Sequence, residues 1–593
     1  MAYHSSGWPI GSWGGSALLA RHLSLAMAAA IALIVAAPAA ASVPRTESPQ
    51  PTRPGPFSDV ATSVVTLDAP MADRAGLPAS CDQLRYLRLR HRGGPAASGD
   101  ADAVFVSMPG VPASAGSLEL HGLSVVQQAA DRGRHVEYWA LDRRPNCLED
   151  HTGLQAALRD DDPRKVLDYS FYDREIDGRR FDGFRTSKDL AGLTRIGLEQ
   201  VLEDYRTVIT EGVPDAQRRR ERVVCGGHSL GGPLTAALMA WRFDDGALGA
   251  DLCAGTIALD TLTTADPAGL RTVPQVDAVI RPLRAFGYRT VTRWVNGGRL
   301  PRALDVAIVS PDITILVEAV GINARLRPDE DANPIANQVP SEAASDLGLS
   351  ILHSQTWADL LGPKPRLRRQ HLTGRALLGA LLDDHTMPFA FLKHSVGTYD
   401  RGPVAPKQVP FGRGSFRGPL LQGLGGVEPL MIPARDDQLY GWRAFDEPPA
   451  GLTLPDGRPY SRPGDEVTDI DDLARSLYDG PLDYTEQYFS MRVLTDIVFA
   501  LSGARQDDLA NLRDPGAATR KPRLTIVGAD SFMPPILRAI KPAERGDVLT
   551  LPRYAHMDLV MAAPRQADGR PEPGAAAVVD FLLRTASSPP PAR

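Results

Sequence analysis

Val223-Val224-Cys225-Gly226-Gly227-His228-Ser229-Leu230-Gly231-Gly232 is the stretch on which the reading of this chain turns. An apolar, β-branched run enters a Gly-x-Ser-x-Gly motif and leaves it into Pro233-Leu234-Thr235-Ala236-Ala237-Leu238-Met239-Ala240-Trp241. That order is a buried strand, a very tight turn and a helix. On such a turn Ser229 is held in a strained backbone conformation with its Oγ clear of the sheet. Gly227 and Gly231 flank it because side chains there collide across the turn. The amides opening the helix point to where negative charge would gather beside the serine.

Working outward, strands and helices alternate on the N-terminal side. Residues 84–89 alternate as a strand, 91–99 turn, and 102–108 form a buried strand that ends in Pro109-Gly110-Val111-Pro112. A helix is expected over 117–132 and a third strand over 136–141. Ser187 reads as the N-cap of a helix whose apolar residues Leu190, Leu193, Val201, Tyr205 and Val208 share one face. Beyond the central stretch, 253–259 is a strand closing on Asp260-Thr261. The rhythm then breaks from 262 to 515, a large, mainly helical insertion with helices over 274–285, 374–382 and 484–501. Within it, 402–463 is Gly/Pro-rich with little periodicity. Strands return at 523–530 and 548–551, followed by Tyr554-Ala555-His556-Met557-Asp558 and a closing amphipathic helix over 575–583. This alternation predicts an α/β fold with a mostly parallel sheet covered by helices on both faces.

A serine hydroxyl needs an adjacent base, usually a histidine oriented by a carboxylate, to act as a nucleophile at neutral pH. Ser229, Asp530 and His556 occur in that order, the last two just past predicted strands. Here the chain resembles the α/β-hydrolase superfamily, through Gly227-His228-Ser229-Leu230-Gly231, Gly528-Ala529-Asp530 and Ala555-His556-Met557-Asp558. The resemblance spans roughly 84–261 and 521–585 and leaves out the insertion. It implies Ser229 as nucleophile, His556 as general base and acid, and Asp530 as the orienting acid, with Asp260 as the alternative. The amide of Leu230 would supply one oxyanion donor, and Val111 or Gly110 the second. Pro109-Gly110 stands where many members have His-Gly. The insertion falls where the superfamily places its cap, and 387–392 and Tyr488-Phe489 serve either as pocket lining or as cap core. His228 is expected to point away from the serine and to be structural.

These features lead to an expected serine hydrolase acting on small-molecule or lipid carboxylic esters, without cofactor. Acyl transfer, thioester cleavage or peptide cleavage by the same triad is the alternative, and a non-catalytic binding protein of this fold a more distant one. The 593 residues carry 43% hydrophobic and 23% charged residues and a net charge of −6, which leaves no footprint for nucleic acid. Neither Cys-x-x-Cys nor His-x-x-x-His occurs, so no metal is expected. Asp383-Asp384-His385 is discounted because three adjacent residues on a helix cannot face one ion. Arg21 and His22 before the apolar run 23–37, then Ala39-Ala40-Ala41, read as a signal peptide over 1–41 and imply export, with an uncleaved membrane anchor as the alternative. A linker and N-terminal segment over 42–80, core over 81–261, cap over 262–515 and core with a disordered tail over 516–593 complete the expected organisation. Export makes Cys81 and Cys147 an attractive disulfide pair, while Cys225 and Cys253 read as buried thiols inside strands.

Overall fold

Tyr138 and Trp139 show how the layers are set. Consecutive residues of a strand point to opposite faces, and these two are fully buried in β5 (Val136–Leu141). The Tyr138 ring leaves no room for a Cβ at Gly122 of the helix Glu119–Ala130, and the Trp139 ring leaves none at Gly212 of the helix Leu198–Gly212. One helix therefore covers each face of the sheet, as the unbroken apolar strands require. The helix Pro573–Ser587 packs beside the first, and Gly231–Ala240 beside the second.

This computed structural model describes residues 43–51, 53–264, 281, 284–306, 309–341, 343–409, 430–448, 451, 453, 457, 459–461 and 464–587. Its nine-stranded sheet opens with β1 (Arg45–Pro49), β2 (Val60–Asp68), β3 (Gln83–His91) and β4 (Ala103–Met108). After β5 follow β6 (Val223–His228) and β7 (Gly255–Leu259). The insertion contributes short strands β8 (His371–Leu372), β9 (Thr398–Asp400), β10 (Val404–Pro406), β11 (Met431–Pro433) and β12 (Leu439–Arg443). The sheet then closes with β13 (Arg523–Gly528) and β14 (Asp547–Leu551). Its order is β1-β2-β3-β5-β4-β6-β7-β13-β14. The run from β5 to β14 is parallel, and β1, β2 and β3 join it antiparallel.

The expected fold class holds, and several local expectations are corrected. Residues 45–49 and 60–68, read as linker and N-terminal segment, are strands; β2 pairs along its whole length with β3. Their alternation of small and β-branched residues is that of an edge hairpin, and the prolines nearby hid it. Ser187 caps no helix: a 3-10 turn spans Ala191–Arg195, and the helix begins at Leu198 behind Gly197. Cys225 and Cys253 are a disulfide, not thiols, because β6 and the approach to β7 are adjacent and bring their Cα atoms to 5.8 Å. Cys81–Cys147 is bonded as expected.

In the insertion the helix Pro311–Leu326 packs on Gly374–Leu382 and Ile470–Tyr478, and Met491–Leu501 packs against Leu198–Gly212. The stretch 402–463 holds β10, β11 and β12 among its described residues. The described residues from Pro44 onward belong to one compact unit. The expected signal peptide, most of the helix at 274–285 and the C-terminal tail lie outside the described residues. Among the described residues no helix is long and apolar enough to cross a membrane.

Candidate active site

At the end of β6 the chain turns at Ser229, whose φ of 53° lies in the left-handed region that residues with a Cβ avoid. The strain is held by packing. A Cβ at Gly227 or Gly231 would stand 2.3 Å or 2.1 Å from the Met108 carbonyl oxygen, so both positions must be glycine for β4 and the elbow to approach. The Ser229 amide donates to Leu259 O at 3.1 Å, which ties the turn to β7. Ser229 itself is half-buried.

Past β7 the chain turns again at Asp260, also with positive φ (47°). Its carboxylate is fully buried and accepts from Gly528 N at 3.0 Å, from Ser531 Oγ at 2.8 Å, and from His556 Nδ1 at 2.5 Å. The acid beside the histidine is therefore Asp260, the alternative, and not Asp530. Asp530 sits exposed on the turn after β13, where its amide donates to Tyr554 O at 3.1 Å. The reason is geometric: the tight turn at Gly528 spends its amide on Asp260 and carries residue 530 outward.

His556 is buried on the loop between β14 and the short helix Asp558–Met561. Burial holds its imidazole below the ordinary histidine range and pushes the Asp260 carboxyl up, against the bonds donated by Gly528 and Ser531. With Asp260 taking Nδ1–H, Nε2 is left to serve as a base. Phe532 packs at 4.8 Å from the ring and His228 at 4.4 Å. His228 Nε2 lies 3.0 Å from His556 O, so this elbow histidine anchors the backbone of the base; burial lowers its pKa to about 3 and keeps it neutral.

On the other side of Ser229 stands the turn after β4. A Cβ at Gly110 would fall 2.8 Å from Ser229 Cβ and 3.4 Å from its Oγ, which places Gly110 directly against the serine. Val111 lines a neighbouring cavity instead. Leu230 opens the elbow helix. The turn is held by Arg143, a buried residue that the sequence did not single out. Its guanidinium donates to Pro109 O at 3.0 Å, Gly110 O at 2.7 Å and Ala113 O, and to Glu486 at 2.6 Å. Glu486 belongs to the insertion, whose segment 483–486 runs antiparallel along the turn: Ser114 N donates to Tyr484 O at 2.8 Å and Glu486 N to Pro112 O at 2.6 Å. An Arg two residues past β5 and a Glu amid Tyr484–Phe489 were the only signals available in the sequence.

The insertion also closes an apolar cavity of about 90 Å³ beside this turn, walled by Val111, Ile313, Leu316, Met387, Tyr484 and Met557 among others. Met387 and Leu392 of the expected lining reach it, whereas Tyr488 and Phe489 do not; Phe489 instead lies under the Arg143 guanidinium at 5.1 Å.

A sheet of this order, a left-handed serine between its central strand and a helix, and a later Asp–His pair are the features of the α/β-hydrolase fold. No family model and no curated protein matches the sequence. Among solved structures the chain is similar to juvenile hormone epoxide hydrolase from the silkworm Bombyx mori (10% identity, TM-score 0.32, 88% of this chain and 78% of the other). It is also similar to a proline iminopeptidase of Mycobacterium smegmatis (11%, 0.25, 91% and 99%) and an acetylester hydrolase of Corynebacterium glutamicum (10%, 0.28, 85% and 91%). At such scores these likenesses carry no argument, and the fold is read from the strand order, elbow and Asp–His pair of this chain itself.

Proposed function

We propose that the chain is an exported serine hydrolase that cleaves short-chain carboxylic esters through an acyl-enzyme. The observation that carries the reading is the Asp260–His556 pair on the same sheet edge as the strained Ser229. Ser229 Oγ attacks the ester carbonyl carbon while His556 Nε2 takes its proton. Asp260 stabilises the imidazolium, and the amides of Leu230 and Gly110 face the developing oxyanion. His556 then returns the proton to the departing alcohol, and water repeats the sequence on the acyl-enzyme. The small apolar cavity beside Val111 suits the acyl part of a short ester. Two disulfides support export, since such bonds persist in oxidising compartments.

The test is turnover of a p-nitrophenyl ester series from acetate to palmitate, with Ser229→Ala in parallel. Hydrolysis of the short members that vanishes in the variant, together with fluorophosphonate labelling of Ser229, is the expected result. Absence of both turnover and labelling would remove the hydrolase reading, and preference for a thiol or amine acceptor over water would replace hydrolysis with acyl transfer.

A further inference from the structure

Away from Ser229, the insertion gathers Asp383, Asp384, His385 and Glu466 so that one ligand atom from each lies within 4.8 Å of the others. The objection raised by the sequence, that adjacent residues on a helix diverge, does not apply. The helix Gly374–Leu382 stops at Leu382; Asp383 is its C-cap with extended backbone (ψ 146°), and Asp384 and His385 continue in the turn that follows. Three consecutive side chains converge there, and Glu466 meets them from a remote loop.

His385 Nδ1 stands 2.8 Å from Asp384 Oδ1 and 3.5 Å from Asp383 Oδ2. Donors bound about 2.1 Å from one ion at octahedral or tetrahedral angles lie roughly 3.0–3.5 Å apart, a range close to the two distances measured from His385. Two members are fixed by bonds around the site. Asp383 Oδ2 accepts from His385 N at 2.9 Å, and Glu466 accepts from Ser461 Oγ at 2.8 Å, Ser395 Oγ at 2.8 Å and Gly397 N at 3.3 Å. Asp384 Oδ1 and His385 Nδ1 are buried and have no partner outside this carboxylate–imidazole cluster.

A separate observation comes from Tyr460. It is 4% exposed, its ring lies 4.6 Å from that of His385, and its hydroxyl is buried with no hydrogen-bond partner. That ring contact places Tyr460 at the edge of the same cluster. Three carboxylates thus meet around one imidazole, Asp383 and Glu466 buried and Asp384 and His385 half-buried.

We propose that Asp383, Asp384, His385 and Glu466 bind one divalent transition-metal ion of the zinc or manganese class. The imidazole donor favours these ions over calcium and magnesium, which prefer oxygen alone. The site is structural. Glu466 holds Ser395, whose amide donates to Asp558 Oδ1 at 2.9 Å, and Asp558 Oδ2 accepts from Ala555 N at 2.7 Å beside His556. An ion there braces the insertion against the loop that carries the histidine.

The test uses the full mature chain, stripped with chelator and then titrated with Zn²⁺, Mn²⁺, Ca²⁺ and Mg²⁺. Bound metal is counted by mass spectrometry after gel filtration, and melting temperature is followed. One equivalent of Zn²⁺ or Mn²⁺ with a raised melting temperature is expected, and a loss of at least tenfold in affinity in both Glu466→Gln and Asp384→Asn. Asp384→Asn keeps the proposal testable if the buried Glu466 variant fails to fold, because asparagine keeps the shape of the side chain and can still accept from His385 while removing the charge. Absence of stoichiometric Zn²⁺ or Mn²⁺ would overturn the proposal and leave an imidazolium–carboxylate cluster. Binding unchanged in Asp384→Asn would also overturn it, and would point to the second grouping of Glu149, His151 and Asp483.

Discussion

Asp260 Oδ2 and His556 Nδ1 meet at 2.5 Å although the whole insertion lies between them in the chain. The acid stands on the strand after the elbow strand, before the insertion, and only the histidine follows it. The turns at Ser229 and Asp260 are thus adjacent at the ends of β6 and β7, joined by the hydrogen bond from the Ser229 amide to Leu259 O. Whatever the insertion does, it acts on the histidine loop and the turn after β4, and not on the spacing of serine and acid.

The first prediction separates the two candidate acids. Asp260→Asn is expected to lower kcat on the order of 10³–10⁴-fold, because the amide can present its NH₂ to Nδ1 and favour the wrong tautomer. Asp530→Asn is expected to stay within about twofold of the parent, as for most exposed substitutions. Steady-state kinetics on one ester substrate decides it, and a large loss in the second variant with none in the first would reverse the assignment.

The second concerns pH. Burial lowers the His556 pKa, and the working form of a general base is the neutral one. Neutral imidazole therefore persists to lower pH than for a free histidine, so the acid limb of kcat/KM should fall below pH ~6.5. Phe532 supplies part of that burial at 4.8 Å. Phe532→Ala should admit water, raise the pKa and move the limb upward; a downward shift would contradict the cause given.

How much of this was legible in sequence follows from what each feature depends on. The elbow was legible because its signal is local: an apolar strand, two glycines and a helix in one stretch. His556 was singled out because it lies a few residues past a recognisable strand. The carboxylate that pairs with His556 was not the first choice because deciding between Asp260 and Asp530 depends on which turn aims inward. That is decided by Gly528 N and Ser531 Oγ bonding Asp260. Strand β1 was missed because an edge strand needs only one partner and tolerates proline nearby. The Cys225–Cys253 bond depends on strand order, which spacing along the chain does not reveal.

A third prediction follows from that bond. It joins β6, which carries the elbow, to the start of β7, which carries Asp260, and closes a loop with sequence separation 28. On the loop-entropy account such a closure stabilises by about 3–4 kcal/mol. The paired change Cys225→Ala with Cys253→Ala should lower the melting temperature with the far-UV spectrum retained. Calorimetry under oxidising conditions measures the drop; an unchanged transition would mean that the unfolded chain is not loosened by the loss.

The last prediction tests Arg143 as a positioning residue. Its guanidinium gathers the carbonyls of Pro109, Gly110 and Ala113 and so fixes the turn whose Gly110 stands against Ser229. Its charge is met by Glu486 at 2.6 Å in a buried pair. Removing either partner alone leaves a buried charge uncompensated, at a cost of about 3–5 kcal/mol in stability. Arg143→Met should therefore both melt early and lose kcat, by up to roughly the 10²-fold of a missing oxyanion donor, with KM little changed. The double variant Arg143→Met with Glu486→Leu separates the two effects. It removes both charges, so its melting temperature should recover most of the loss, while the turn still lacks its anchor and kcat should stay low. Recovery of kcat along with stability would mean that Arg143 only balances Glu486 and has no part in shaping the turn.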